Sequence, residues 1–302
     1  VFARRPAPLQ LSWLGYPGTL GNQQLADVII GDSIVTPADN AEYFSERIAR
    51  LPNCYQPNDR LRELAAMPTR TAVGLPEAVF VFCCFNSVYK ISPSVFNQWC
   101  RLLKDVPDSV LWLLAGSPSA IRNLKSAASA NGVDPDRLIF ASFVPQAEHL
   151  ARIQLADLAL DTFPCGSHTT ASDALWAGVP LVTMMGQSFV SRVAASLLTA
   201  HGFPELITET KDDYFQLTRS LACSPGKLAV LREKLAHARL SSPLFDTRQL
   251  TIDLEKLFES IWTQCVDEGI DQELTDPPAG LRLHIGGVSP KTGWKILNAL
   301  PG

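Results

Sequence analysis

The chain has 302 residues, 46% of them apolar, and a formal net charge of −4. Such a length allows two domains or one large one with a sizeable core, and the charge argues against a nucleic-acid binder that relies on overall charge. No apolar run reaches the length of a membrane span, and the opening VFARRPAPLQ lacks the apolar core of a secretory signal.

Leu9–Trp13 reads as a strand, followed by Leu14-Gly15-Tyr16-Pro17-Gly18, a glycine- and proline-rich loop. Such a loop is either an ordinary turn or a place where backbone approaches a ligand closely. Ala26–Ile30 is a second short strand. Thr36-Pro37 has the form of an N-cap followed by a first-turn proline, which predicts a helix to about Arg50. Leu51–Pro76 is polar and irregular, a linker. From there strands and helices alternate regularly. Ala78–Phe85 is a buried strand, Ser92-Pro93 starts a helix to Asp105, and Ser109–Leu114 is a strand. A helix ends near Gly132, and Arg137–Ser142 is the next strand. Phe143-Val144-Pro145-Gln146 leads into a helix carrying His149 and Arg152. Asp157–Asp161 is a strand, 164–167 a small-residue loop, and His168-Thr169-Thr170 open a helix that ends before the strand Leu181–Thr183. Val190–Thr199 is helical and Glu205–Thr208 a short strand. Three helices follow near 211–222, 225–238 and 246–264, and Leu281–Ile285 resembles a strand beyond an acidic segment. This alternation predicts βαβ units on a parallel sheet, with a ligand site along the carboxyl edge of the strands.

The seven cysteines form no C-x-x-C pair, and the five histidines show no metal-ligand spacing. The cysteines therefore read as reduced core residues of a cytoplasmic protein, and no bound metal is expected. G-x-G-x-x-G and the P-loop pattern are both missing. The residues gathered along the predicted edge suit a nucleoside diphosphate. Lys90 lies on a loop beside Asn86 and Ser87. His168, Thr169 and Thr170 stand where a helix start offers unpaired N–H groups, and Asp173 one turn later suits a ribose diol. His149 and Arg152 share a helix face and can meet a uracil ring. Each also has a plainer reading: a solvated lysine, a helix cap at 167–170, an exposed polar face at 149–152.

The segments WLGYPGT (13–19), FNSVYKISP (85–93), EHLARIQLADLALDT (148–162), HTTASDALWAGVPLVTM (168–184) and SSPLFDTRQ (241–249) resemble the protein O-linked N-acetylglucosamine transferase family in its bacterial form. That resemblance covers nearly all of 1–265. It implies a GT-B fold of α/β class, two Rossmann-like halves of which the first is truncated at its N-terminus here. Residues 1–75 would be the end of the first half and the linker, 76–245 the nucleotide-sugar-binding half, 246–265 a closing helix, and 266–302 a tail or appended element. It implies inverting transfer of N-acetylglucosamine from UDP-GlcNAc to Ser or Thr of proteins, without a cofactor. Partners would be the UDP-sugar, a protein acceptor, and an upstream TPR and catalytic segment that holds the general base. Carried over by position, Lys90 and His168 would be catalytic. Thr169, Thr170 and Asp173 would contact phosphate, sugar and ribose. Val144, Gln146, His149 and Arg152 would hold the uracil, with Ser87 near the nucleotide. Leu14, Gly15 and Pro17 would wall the sugar side. The family's animal members carry Gln at the place of Ser87 and Lys at that of Gln146, so two donors differ. Two other readings remain open: another UDP-sugar enzyme of the same fold, an epimerase or a transferase for a different sugar, and a non-catalytic protein-binding module that keeps a UDP cleft.

Overall fold

The computed structural model describes residues 1–267; the strand expected at Leu281–Ile285 lies outside them. Two parallel sheets organise the described chain. The first joins β1 (Leu11–Ser12), β2 (Val28–Asp32) and β3 (Arg47–Leu51) in that order, with Val28 paired to Leu11 on one side and Arg47 on the other. The second contains β4 (Phe80–Cys84), β5 (Ser109–Leu114), β6 (Leu138–Ala141), β7 (Leu158–Leu160), β8 (Leu181–Met184) and β9 (Ile207–Thr208). Its spatial order is β6-β5-β4-β7-β8-β9. The chain thus winds outward from β4 through β5 to β6, then returns to the other side of β4 with β7 and winds outward again. Connections on the two sides of the β4–β7 junction diverge, and this opens a crevice at the carboxyl ends of those two strands.

Helix starts are specified locally. The Ser92 hydroxyl accepts the Val95 N–H at the head of α1 (Pro93–Asp105), and Ser117 does the same for Ala120 at the head of α2 (Pro118–Ala130). In both, proline follows the cap at a position whose N–H has no helical partner. α3 (Gln146–Ile153), α4 (Thr169–Trp176) and α5 (Val193–His201) follow β6, β7 and β8. After β9 come α6 (Lys211–Ala222), α7 (Pro225–Ala238) and α8 (Thr247–Asp267). One core runs through the large sheet and its helices, with Trp99, Trp112, Phe82 and Tyr214 all fully buried. α8 returns to the small sheet, where Ile261 and Cys265 pack on Val28 with Leu9, Leu11 and Ala49 around them.

The expected helix from Thr36 to Arg50 does not form. A six-residue 3-10 helix occupies Ala38–Tyr43, and the chain then extends as β3. Asp32 is the cause. Its carboxylate accepts the N–H groups of Ile34 and Val35 at 2.9 Å, and the Thr36 hydroxyl donates back to the Asp32 carbonyl at 2.8 Å. Thr36 therefore closes a turn rather than capping a helix. Gly31 is required there, because a Cβ would lie 2.5 Å from the Thr36 hydroxyl oxygen. Pairing of 47–51 along the whole of β2 outweighs local helix preference.

The expected linker is irregular as anticipated, but it is packed. Tyr55 donates its N–H to the second Asp32 oxygen at 2.9 Å, and the Ser196 hydroxyl on α5 donates to that same oxygen at 2.6 Å. Arg70 bonds the carbonyl of Val79 at 2.7 Å and the Asp157 carboxylate at 3.0 Å. One buried carboxylate thus binds the small sheet, the linker and the large unit together. Asp32→Ala would strand four donors and is expected to cost more than about 3 kcal/mol. Urea unfolding would measure it; a loss below about 1 kcal/mol would show that the junction does not depend on this group.

Candidate nucleotide-sugar site

The crevice at the β4–β7 junction is built on two loops. After β7 the chain passes Asp161, which is 1% exposed. Its carboxylate accepts the N–H of Thr162 at 2.7 Å, the N–H of Ser167 at 2.6 Å and the Thr183 hydroxyl of β8 at 2.6 Å. Burial pushes this carboxyl's pKa up, and the hydrogen bonds pull it back. The segment from Thr162 to Ser167, with a cis Phe163–Pro164 peptide, is folded around that anion. Gly166 passes so close that a Cβ would sit 3.2 Å from Asp161 Oδ2 and 3.3 Å from the Val190 carbonyl.

After β4 the chain delivers Asn86 and Lys90. Buried Asn86 donates to Thr162 Oγ1 at 2.8 Å and Ser167 Oγ at 2.7 Å, and its carbonyl oxygen accepts from the Thr170 hydroxyl. Lys90, half-buried at the end of a 3-10 turn, donates from Nζ to the Gly166 carbonyl at 2.8 Å. The two loops lock to each other, and a cation stands beside the start of α4.

No side chain caps α4. The plainer reading of Ser167 and the threonines as caps therefore fails: Ser167 and Thr170 are both engaged by Asn86. The helix start keeps unpaired N–H groups and the positive end of its dipole. His168 occupies the N-cap position, with Nε2 buried and without a partner. Burial first, and then the Lys90 charge, lower its pKa to about 4, against a backbone hydrogen bond to Val190 that favours the proton. The imidazole is neutral at pH 7. Thr169 is exposed at the same helix start.

His149 and Arg152 do not form an exposed polar face. Arg152 is 6% exposed; it donates from Nε to His149 Nδ1 at 3.1 Å and from Nη1 to the Ser142 carbonyl at 2.7 Å. The His149 ring meets Phe85 edge-on at 4.9 Å, and the guanidinium lies 5.6 Å from the same ring. Burial and then Arg152 lower the His149 pKa to about 4. With Nδ1 accepting, the ring proton is on Nε2, which can donate to a base carbonyl. Val144 is half-buried, while Gln146 and Ser87 are exposed at the heads of α3 and the Lys90 turn.

The other expected residues are distributed less simply. Leu14 has φ 63°, the left-handed region that an ordinary side chain rarely adopts, and is 41% exposed. Among the described residues, Leu14, Gly15 and Pro17 make no hydrogen bond with the crevice residues. Asp173 is 7% exposed and ion-paired with Arg62 at 2.9 Å. Sequence reading did not anticipate Arg62 or the organising role of Asp161. An acid at a strand's carboxyl end, followed by Thr and a Pro-x-Gly-Ser loop, was a usable local signal for Asp161. Arg62 left no signal, because its partner is 111 residues away. Among the described residues no group of three His, Cys, Asp or Glu could hold a metal ion.

The glycosyl transferase family 41 model matches residues 1–67 and 58–254. The chain belongs to that family. Over 269 residues it is 39% identical to the probable UDP-N-acetylglucosamine–peptide N-acetylglucosaminyltransferase SEC of Arabidopsis thaliana, covering 87% of this chain and 27% of that one. The corresponding Caenorhabditis elegans enzyme is 30% identical over 374 residues, with 87% of this chain and 32% of that one covered. A variant of the O-GlcNAc transferase of Thermobaculum terrenum superposes with a TM-score of 0.81 at 33% identity, covering 89% of this chain and 51% of that one. The family 41 chain spans about a quarter to a third of these curated relatives, and its architecture is that of the GT-B glycosyltransferases.

The neutral state of His168 has a measurable consequence. Its folded pKa of about 4 lies below the ordinary 6.5. Between those values the unfolded chain binds a proton that the folded chain refuses, so this contribution is present above pH 6.5 and lost as pH falls through the window. Between pH 7 and pH 5 the wild type is expected to lose about 2 kcal/mol more stability than His168→Asn. Identical pH dependence in denaturant unfolding of the two ligand-free proteins would show that the imidazole takes its proton without cost.

Proposed function

We propose that this chain supplies the nucleotide-sugar half of an inverting, metal-independent transferase that moves N-acetylglucosamine from UDP-GlcNAc to Ser or Thr hydroxyls of proteins. The observation that carries the reading is the Lys90 ammonium fixed on the Gly166 carbonyl beside the uncapped start of α4. In the transfer, an acceptor hydroxyl oxygen bonds to the anomeric carbon as the bond to the β-phosphate oxygen breaks. The electron pair leaves with the diphosphate, and the hydroxyl proton passes to a base outside the residues assigned here. Charge grows on the departing diphosphate, where Lys90 and the helix N–H groups meet it without reorganising. His168, neutral and desolvated, is a hydrogen-bonding group beside that charge. His149 and Arg152 on Phe85, with the Val144 backbone, form the base-binding wall. Asp173 takes the ribose hydroxyls, and Leu14, Gly15 and Pro17 border the sugar.

The partners proposed with this reading are a protein acceptor and a TPR-bearing upstream segment of the same polypeptide. No helix among the described residues is long and apolar enough to cross a membrane. All seven cysteines are free, five of them buried, which supports a reducing, cytoplasmic setting.

Calorimetric titration of UDP into the full-length protein, with and without EDTA, followed by an assay with UDP-GlcNAc and acceptor peptides, tests the proposal. Binding that ignores EDTA and sugar transfer to peptide are expected. Preference for another UDP-sugar would move the assignment to a different transferase, and UDP binding without transfer or hydrolysis would make the chain a binding module. Lys90→Ala should lower kcat by about 10²–10³ while UDP affinity changes only a few-fold; equal losses in both would remove the transition-state role. Asp173→Ala should weaken UDP by about 1–3 kcal/mol, the scale of a lost charged hydrogen bond, and an unchanged affinity would take Asp173 out of the site.

A further inference from the structure

Arg62 comes from the irregular segment between the two sheets, yet its side chain is only 8% exposed. Its guanidinium spans two successive residues of α4: Nη1 donates to Asp173 Oδ1 at 2.9 Å and Nη2 to Ser172 Oγ at 2.8 Å. Nη2 also reaches Asn58 Oδ1 at 3.4 Å. Asn58 is itself 2% exposed and donates to the carbonyls of Gln56 at 2.9 Å and Leu244 at 3.4 Å. The Phe245 ring lies 5.8 Å from the guanidinium carbon. The arginine is thus held from behind by the segment before 75 and by 244–245, and it holds α4 in front.

Asp173 takes this ion pair on one oxygen. Oδ2 accepts no hydrogen bond among the described residues. Burial pushes this carboxyl's pKa up and the Arg62 charge pulls it back; with Arg62 on one oxygen, the plane of the carboxyl group is set. We propose that Arg62 is a positioning residue for nucleotide recognition, orienting the Asp173 carboxylate so that its second oxygen meets the ribose hydroxyls. This rests on the reading above, in which Asp173 takes the ribose. It adds that ribose recognition depends on a residue outside the nucleotide-binding sheet, so the segment between the two halves participates in donor binding. Two parallel N–H groups on neighbouring residues use the fixed fork of a guanidinium, which an ammonium cannot reproduce.

The test titrates UDP and its 2′,3′-dideoxy analogue into full-length wild type, Arg62→Met and Arg62→Lys, each first shown by thermal melting to be folded. Wild type should prefer UDP. Arg62→Met should lose about 10- to 100-fold in UDP affinity while its affinity for the dideoxy analogue stays within about threefold, so that discrimination collapses. Arg62→Lys keeps the charge without the fork and should lose at least about threefold of the discrimination; it carries the test if the methionine variant does not fold. Equal losses for both nucleotides, or discrimination unchanged in the lysine variant, would make Arg62 a structural residue only and overturn the proposal. A wild type that binds both nucleotides equally would instead remove Asp173 from the ribose, which overturns the underlying reading and this one together.

Discussion

The Asp161 carboxylate, buried at the carboxyl end of β7 and accepting from Thr162, Ser167 and Thr183, sets the geometry on which the rest of the site depends. A buried anion is tolerated only where donors surround it, so the loop must turn inward and present its N–H groups. Turning inward points the Gly166 carbonyl back across the crevice, where it meets Lys90. It also places His168 at the head of α4 with no side chain available as a cap. A lysine fixed by a carbonyl and a helix start left open are two outcomes of one folded loop. Asn86 then binds that loop to the end of β4 through Thr162, Ser167 and Thr170.

Asp32 plays the corresponding part between the sheets. It too ends a strand with a fully buried carboxylate, and its donors come from the following turn, the linker and α5. The family 41 chain thus uses the same device twice, an acid at a strand's carboxyl end that gathers N–H and hydroxyl donors. At Asp161 the device shapes the loop that leads into α4; at Asp32 it joins two layers. α8 adds an apolar seam by returning Ile261 and Cys265 to β2. Hydrogen bonds to a buried anion specify direction, whereas apolar packing supplies area without it.

What could be read in advance follows the range of the interactions. Strand–helix alternation from Ala78 onward, the Ser92 and Ser117 caps and the convergence of Lys90, His149 and His168 on one edge all follow from local pattern plus the rule of right-handed crossovers. The helix expected from Thr36 shows the limit. Thr-Pro is a genuine local start signal, but the Thr36 hydroxyl is taken by the Asp32 carbonyl, and 47–51 is claimed by pairing with β2. Arg62 marks the same limit for the site. Nothing near it in sequence requires an acid, and the pair exists only because the segment between the sheets folds back over α4. The residues proposed to meet ligand carried recognisable local patterns, and Asp161 carried one as well; Arg62, held in place across 111 residues, carried none.

The charge pattern bears on how the site would receive the proposed diphosphate. His149 and His168 are held neutral, one beside Arg152 and one beside Lys90. The cations themselves are anchored on backbone carbonyls, Lys90 on Gly166 and Arg152 on Ser142. Positive charge is therefore present in fixed places, and the histidines add hydrogen-bonding capacity without further repulsion between cations. Asp173, the acid one turn into α4, would oppose an anion at the helix start if it stood alone. Pairing with Arg62 offsets that field while leaving an oxygen free to accept. A carboxylate suited to a sugar diol and a helix start suited to phosphate can then share the first five residues of one helix, Thr169 to Asp173, because the neutralising cation is supplied from outside it.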